Sequence, residues 1–140
     1  MFRRGRRMFS VASLMLILVA GLHSAGGFAP PLNAEHAALL QQMDNFRFES
    51  GFSMRPSQLD VLRDLWFTMS ILLVAWGLQN LCVAKFGSNE LLRWVVILNL
   101  IFLALLDALC WRYQIPPPLI SFLVVTVLFL FAIPRATQEG

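Results

Sequence analysis

The sequence predicts an all-α integral membrane protein, a four-helix bundle, and three observations carry that prediction. Hydrophobic residues make up 58% of the chain and charged residues 14%, a balance with which a chain of this length would expose aggregating apolar patches in water. Four apolar stretches, at 10–28, 61–84, 91–111 and 119–134, each approach or exceed the roughly 17–25 residues that a spanning helix needs. The basic residues also cluster: Arg3, Arg4, Arg6 and Arg7 precede the first stretch, Lys85 and Arg93 flank the connection between the second and third, and Arg135 follows the fourth. With four spans all of these fall on one side, which the positive-inside rule assigns to the cytoplasm. The expected organisation is one membrane domain over 1–140 in a bacterial inner membrane, with both termini cytoplasmic. The net charge of +3 is a topology signal here, and no nucleic-acid partner is expected.

The first stretch has a rival reading. A basic start, an apolar core from Val11 to Leu22 and the small-x-small triplet Gly27-Phe28-Ala29 are also the parts of a secretory signal peptide. Pro30 just after that triplet disfavours cleavage, and the core carries His23 and small residues suited to helix packing, so a retained helix is expected.

The outer connection, Pro30 to Pro56, is the one sizeable piece outside the spans. Asn33 can cap a short helix over Ala34–Asn45, with Glu35 and His36 in its first turn and Leu39, Met43 and Phe46 at helical spacing. Such a helix lies on the membrane surface or over the bundle mouth. Phe46 to Phe52 alternates apolar and charged residues as an extended segment would, and Gly51 permits a turn. Ser57 with Asp60 forms a capping box, which starts the second long helix.

That helix runs to about Phe86 and stops at Gly87, a candidate C′ residue. Ser88 or Asn89 then caps the third helix, and so short a turn makes the two antiparallel neighbours. The third ends near Tyr113. Pro116, Pro117 and Pro118 form a stiff link, and a proline can also open the fourth helix. Trp66, Trp94, Trp111 and Tyr113 fall near span ends, where aromatic residues anchor at the interface.

Ionisable and polar residues inside the spans are the candidates for function, because they are costly there and usually face the bundle and pair. His23 and Asp107 share a level, about 20 Å up the first helix and roughly 21–24 Å up the third from the cytoplasmic ends. Ala20, Gly26 and Gly27 leave little bulk beside His23. Ala104 and Ala108 flank Asp107 as a small-xxx-small pair that permits close helix approach. Asn99, eight residues before Asp107, extends a polar stripe inward. Arg63 opens the second helix and can reach Asp60 or Asp107. A structural hydrogen bond between helices, a protonatable or ligand-binding site around His23 and Asp107, and an Asp107 that reaches the interface all remain open. Gln79 and Asn80 suit helix–helix hydrogen bonding.

Several chemistries lack their motifs. Only one histidine lies in a span, no His/Cys/carboxylate cluster has zinc spacing, and there is no P-loop, dinucleotide turn or nucleophile elbow. Cys82 and Cys110 form no C-x-x-C pair and lie about 20 Å apart in the expected topology, too far for a disulfide. No catalytic residue, metal or cofactor is expected.

The order Gly21-Leu22-His23-Ser24-Ala25-Gly26-Gly27, then Met43-Asp44-Asn45-Phe46-Arg47-Phe48, then an outer loop entering a Trp/Phe-rich second helix, resembles a family of small bacterial four-helix membrane proteins, broadly the DoxX/DoxD-like group. The resemblance implies a four-helix bundle with a histidine and glycines at the end of the first helix, and brings no catalytic residue. The leading functional expectation is an accessory or structural subunit that packs in the lipid bilayer against itself, as a homo-oligomer, or against a larger membrane complex. The alternatives are a binder of a small amphiphile (lipid or quinone) in an outer-leaflet pocket at His23 and Asp107, and proton-coupled transport by an oligomer.

Overall fold

Local capping rules account for most of the observed helix boundaries. The structure, a computed structural model, describes residues 2–49 and 54–133, with side chains from residue 5 onward. The expected turn at Gly51, the side chains of Arg3 and Arg4, the end of the fourth span at Pro134, and Arg135 lie outside the described residues. The helices run in the order α1 Phe2–Gly27, α2 Ala34–Asn45, α3 Gln58–Phe86, α4 Asn89–Arg112 and α5 Pro116–Ala132. Three of them, taken as Gly5–Gly27, Gln58–Phe86 and Asn89–Arg112, are long and apolar enough to cross a membrane. The described residues divide into two compact units, one drawn from Met1–Val19 with Leu73–Gly140, the other from Ala20–Leu72. Helices α1 and α3 each contribute to both.

In the first unit, burial follows a repeat of seven. The buried positions are Leu92, Val96, Asn99, Leu103 and Cys110 on α4, and Phe122, Val125, Phe129 and Ala132 on α5. Phe9, Ala12, Ser13, Leu16 and Val19 do the same on α1. Alternating steps of three and four keep one seam facing its neighbours, the spacing of helices that cross at a shallow angle. Helix α4 packs against α5. Phe9 meets Phe129 edge-on at 5.4 Å between ring centroids. A Cβ on Gly77 would stand 2.6 Å from Ile17 Cγ1 and 2.8 Å from the Ser13 carbonyl oxygen, so α1 and α3 touch where only glycine fits.

Buried serines are accommodated within their own helices. The Ser13 hydroxyl donates to the Phe9 carbonyl at 2.7 Å, which satisfies it one turn back and leaves a small, smooth surface.

Arg6 closes one end of this unit. Its guanidinium donates to the carbonyls of Ala84 at 2.7 Å and Gly87 at 2.6 Å, and to Asn89 Oδ1 at 3.2 Å. The last carbonyls of a helix have no intrahelical partner, and a cation there also opposes the helix dipole. A Cβ on Gly5 would lie 3.2 Å from the Ala132 carbonyl oxygen. The start of α1, the α3–α4 turn and the end of α5 therefore share one end.

Gly87 occupies the stop expected for it, for a different reason. No described glycine has positive φ, so this is not a left-handed C′ cap. A Cβ at Gly87 would instead lie 2.6 Å from the Val83 carbonyl oxygen, which makes the glycine a matter of space. Ser88 caps α4 by accepting from the Leu91 N–H at 3.1 Å.

A proline does open the fourth apolar helix. Helix α5 begins at Pro116, with Ile115 at the N-cap, because residues without an N–H fit the first turn, where donors have no acceptor anyway. The stiff link shrinks to Tyr113–Ile115. Gln114 within it has φ 52°, the Ile115 N–H donates to the Cys110 carbonyl at 3.0 Å, and the Gln114 N–H donates to the Trp111 carbonyl at 3.2 Å. That is a Schellman ending with glutamine where glycine is usual. At 17 residues, α5 rises about 25 Å and is shorter than the other three apolar helices.

In the second unit, α2 has the expected bounds, and its N-cap Asn33 accepts from the His36 N–H at 2.8 Å. None of its residues is buried. The extended segment pairs through an isolated antiparallel bridge between Arg47 and Ser57, with Phe48 N–H donating to the Pro56 carbonyl at 3.0 Å. Phe46 and Phe48, two residues apart on one face, stack edge-on at 5.2 Å. The capping box is complete: Ser57 N–H donates to Asp60 Oδ2 at 2.8 Å and Asp60 N–H to Ser57 Oγ at 3.0 Å. Near the end of α1, Phe28 packs on Phe67 at 5.1 Å.

Candidate functional site

Three side chains in the first unit form a chain of hydrogen bonds between α3 and α4. The Trp76 indole Nε1–H donates to Asn99 Oδ1 at 2.6 Å, and Asn99 Nδ2 donates to Asn80 Oδ1 at 3.2 Å. Both asparagines are 2% exposed. An indole can only donate, so it fixes which end of the Asn99 amide is oxygen, and Asn99 in turn fixes Asn80. The chain therefore ends on a donor. Asn80 Nδ2 is buried and has no hydrogen-bond partner among the described residues.

The same residues line a cleft of about 430 Å³ between α3 and α4, with Val83, Leu98 and Phe102 among its apolar walls. Phe102 stands edge-on to Trp76, at 6.3 Å and 84°. Gln79, also on the lining, is exposed. No charged residue lines the cleft, which suits it to a neutral molecule with a few polar atoms rather than to an ion.

Asp107 is held differently. Thr126 Oγ1 on α5 donates to Asp107 Oδ2 at 2.9 Å, while Asp107 Oδ1 is buried with no partner among the described residues. Asn99 and Asp107 therefore engage different helices, α3 and α5, and the single inward stripe expected of them is two separate contacts. Eight residues turn a helix by about 80° beyond two full circles, enough to point the two side chains at different neighbours. Ala104 and Ala108 are exposed, so the close approach expected at that pair does not occur within the described chain.

The remaining candidates lie in the second unit. His23, near the end of α1, is half-buried, and Arg63, in the second turn of α3, is exposed. Asp60, which Arg63 was expected to reach, bonds instead to Ser57 and, at 3.4 Å, to Arg47. Of the glycines expected beside His23, Gly27 lies against Trp66, with 3.2 Å from its would-be Cβ to the ring, and Gly26 faces open space. Cys82 and Cys110 are both free thiols. Among the described residues no group of three or more His, Cys, Asp or Glu side chains is placed to hold a metal ion.

Sequence reasoning missed Trp76 and Thr126. Trp76 carried a signal: it lies eleven residues before Gly87, and Asn99 lies eleven after Ser88, so folding the hairpin at that turn sets them opposite each other. Thr126 has no such symmetry with Asp107 about the α4–α5 link. No protein-family model, curated protein or solved structure matches this chain.

Proposed function

We propose that this chain is a multi-pass membrane protein, a four-helix bundle akin to the DoxX/DoxD-like group, acting as an accessory or structural subunit that packs in the bilayer against itself or a larger complex. One observation carries the reading: large apolar side chains cover the outside of the long helices as well as their core, while several polar side chains are buried. Leu14, Leu18, Leu22, Ile71, Ile101 and Leu105 face outward, each more than half exposed, while Ser13, Ser70, Asn80 and Asn99 are buried. Water would penalise that outer surface, whereas lipid tolerates it and penalises unpaired polar groups. Small and polar residues at helix contacts are how membrane helices associate without a hydrophobic drive. The exposed Ala104 and Ala108 leave α4 a face on which another helix can approach closely.

Arg6 at the α3–α4 turn, with Lys85 and Arg93 on either side of it, supports placing that end, and both termini, in the cytoplasm of a bacterial cell. Helix α2 has no buried residue, as suits a helix that lies on a membrane surface. A second reading, proton handling at Asp107, rests on its unpartnered Oδ1.

The test is alkaline carbonate extraction of bacterial membranes containing the protein, with activity reporters fused after Gly140 and within the Pro30–Pro56 connection. The protein is expected to stay in the membrane pellet, with the C-terminal reporter active in the cytoplasm and the loop reporter active outside. Release into the carbonate supernatant sinks the membrane reading. Crosslinking in intact membranes then distinguishes self-association or a larger complex from an isolated monomer, the last of which overturns the subunit assignment.

A further inference from the structure

We infer that the α3–α4 cleft is a binding site for a neutral amphiphile whose carbonyl oxygen accepts a hydrogen bond from Asn80 Nδ2. The inference rests on the membrane reading and extends it to a specific ligand chemistry. The hydrogen-bond chain starts on the Trp76 indole and runs one way, through Asn99 to Asn80, so its free end is a donor and calls for an acceptor. That donor is buried without a partner among the described residues, an arrangement proteins rarely keep. Gln79, exposed on an apolar helix, makes no hydrogen bond among the described residues and adds a second polar group at the rim.

The rest of the lining sets the ligand class. The cleft of about 430 Å³ falls within the usual range for small-molecule sites. Its walls hold no charge, which excludes a phosphate or carboxylate headgroup this far from either helix end. Asn80 lies six residues before the end of α3 and Asn99 ten after the start of α4, placing the polar centre about 9–15 Å from the shared turn. A carbonyl reaches that depth only on a neutral head with an apolar tail. Two sources share this chemistry, a quinone ring and the ester of a neutral glyceride. The edge-on Trp76 and Phe102 rings form a slot suited to a flat head.

The test uses the full chain in lipid nanodiscs and native mass spectrometry. Decylbenzoquinone and dioctanoylglycerol are titrated separately against wild type, Asn80→Leu and Leu98→Trp, and unfolding midpoints are recorded for all three. Leu98 lines the cleft and takes no part in the Trp76–Asn99–Asn80 bonds, so Leu98→Trp adds bulk to the wall without removing a hydrogen-bonding group. Wild type is expected to take up one equivalent of at least one probe saturably. Binding should weaken about threefold to tenfold in Asn80→Leu, the loss of one hydrogen bond, and disappear in Leu98→Trp. Uptake of the quinone alone assigns a ring carbonyl, and uptake of the glyceride alone assigns an ester. The inference is overturned if wild type binds neither probe, if Asn80→Leu binds as tightly as wild type, or if Leu98→Trp binds as wild type does. A protein that remains dispersed without detergent or lipid fails the membrane reading instead, which separates the two failures.

Discussion

The side-chain amide of Asn99 donates to Asn80 across the α3–α4 contact at 3.2 Å, and the Trp76 indole, 2.6 Å from Asn99 Oδ1, decides the direction of that bond. Removing the indole donor strands a buried acceptor; removing Asn99 strands both its partners. In Trp76→Phe and Asn99→Leu the unfolding midpoint in detergent should therefore fall, with a cost of about 0.5–1.5 kcal/mol each, the scale of hydrogen bonds between membrane helices. The double variant should cost less than the two single costs added, since both remove the same bond. Strict additivity in that cycle would show that the two residues act independently.

Gly77 gives a sharper contrast. A methyl group there meets Ile17 Cγ1 at 2.6 Å and the Ser13 carbonyl at 2.8 Å, and a backbone carbonyl cannot swing aside. Gly77→Ala should cost about 1–3 kcal/mol, the usual range for overpacking. Gly21 has nothing within 4 Å of its would-be Cβ, so Gly21→Ala should be neutral or gain up to about 1 kcal/mol from helix propensity. Equal midpoints for the two variants would remove the close α1–α3 contact from consideration.

Some of this was legible in the sequence because capping is local. Asn33, the Ser57–Asp60 pair and Ser88 each satisfy helix N–H groups three residues along, so a few residues suffice to place a helix start. Burial could not be read the same way. On α5, Phe122 and Val125 are buried while Ile120 and Phe131 are exposed, yet all four are apolar, and hydrophobic contrast says nothing about which face is inside. What distinguishes the inner face in the sequence is its small and polar exceptions, Ser13, Gly77, Asn80 and Asn99, set among buried apolar residues such as Phe9, Leu16, Leu92 and Phe129. Asn99 was identified on polarity alone, whereas its partner Trp76, midway along its apolar stretch, reads as one more apolar residue until the hairpin register is applied. Pro116 fits two roles in the sequence, link or first helical residue, because proline breaks a helix in its interior and suits its first turn equally well; α5 takes the second.

Gln114 is the one described non-glycine residue with positive φ, held there by the Schellman bonds that end α4. A side chain in this region costs on the order of 1–3 kcal/mol. Gln114→Gly should raise the unfolding midpoint by the equivalent of about 1 kcal/mol, and Gln114→Val, branched at Cβ, should lower it. The opposite order would mean that the α4–α5 link does not use the left-handed conformation.

The capping box at the start of α3 can be tested apart from any apolar packing. Ser57 is fully buried and accepts from the Asp60 N–H while donating its own N–H to the Asp60 carboxylate. Ser57→Ala removes the hydroxyl acceptor and should cost about 1 kcal/mol, whereas Ser57→Thr keeps it and should cost less. The readout is amide hydrogen exchange over residues 58–62, which should speed up in the alanine variant. Unchanged exchange there would show that the first turn is held by its bridge to Arg47 instead.

Arg6 joins the start of α1 to the end of α3 through two main-chain carbonyls and one side chain. A planar guanidinium can serve Ala84 and Gly87 at once, and a lysine ammonium on a flexible stem has no such fork. Arg6→Lys keeps the charge on which the proposed orientation rests and loses the bidentate geometry; Arg6→Ala loses both. Hydrogen bonds from charged donors contribute about 1.5–3 kcal/mol each, so the unfolding midpoint should fall in the order wild type, Arg6→Lys, Arg6→Ala. The topology reporters should not change in either variant, because the neighbouring arginines still carry positive charge. A midpoint for Arg6→Lys equal to wild type would reduce the role of Arg6 to its charge, and a change of topology in Arg6→Lys would contradict the charge argument as well.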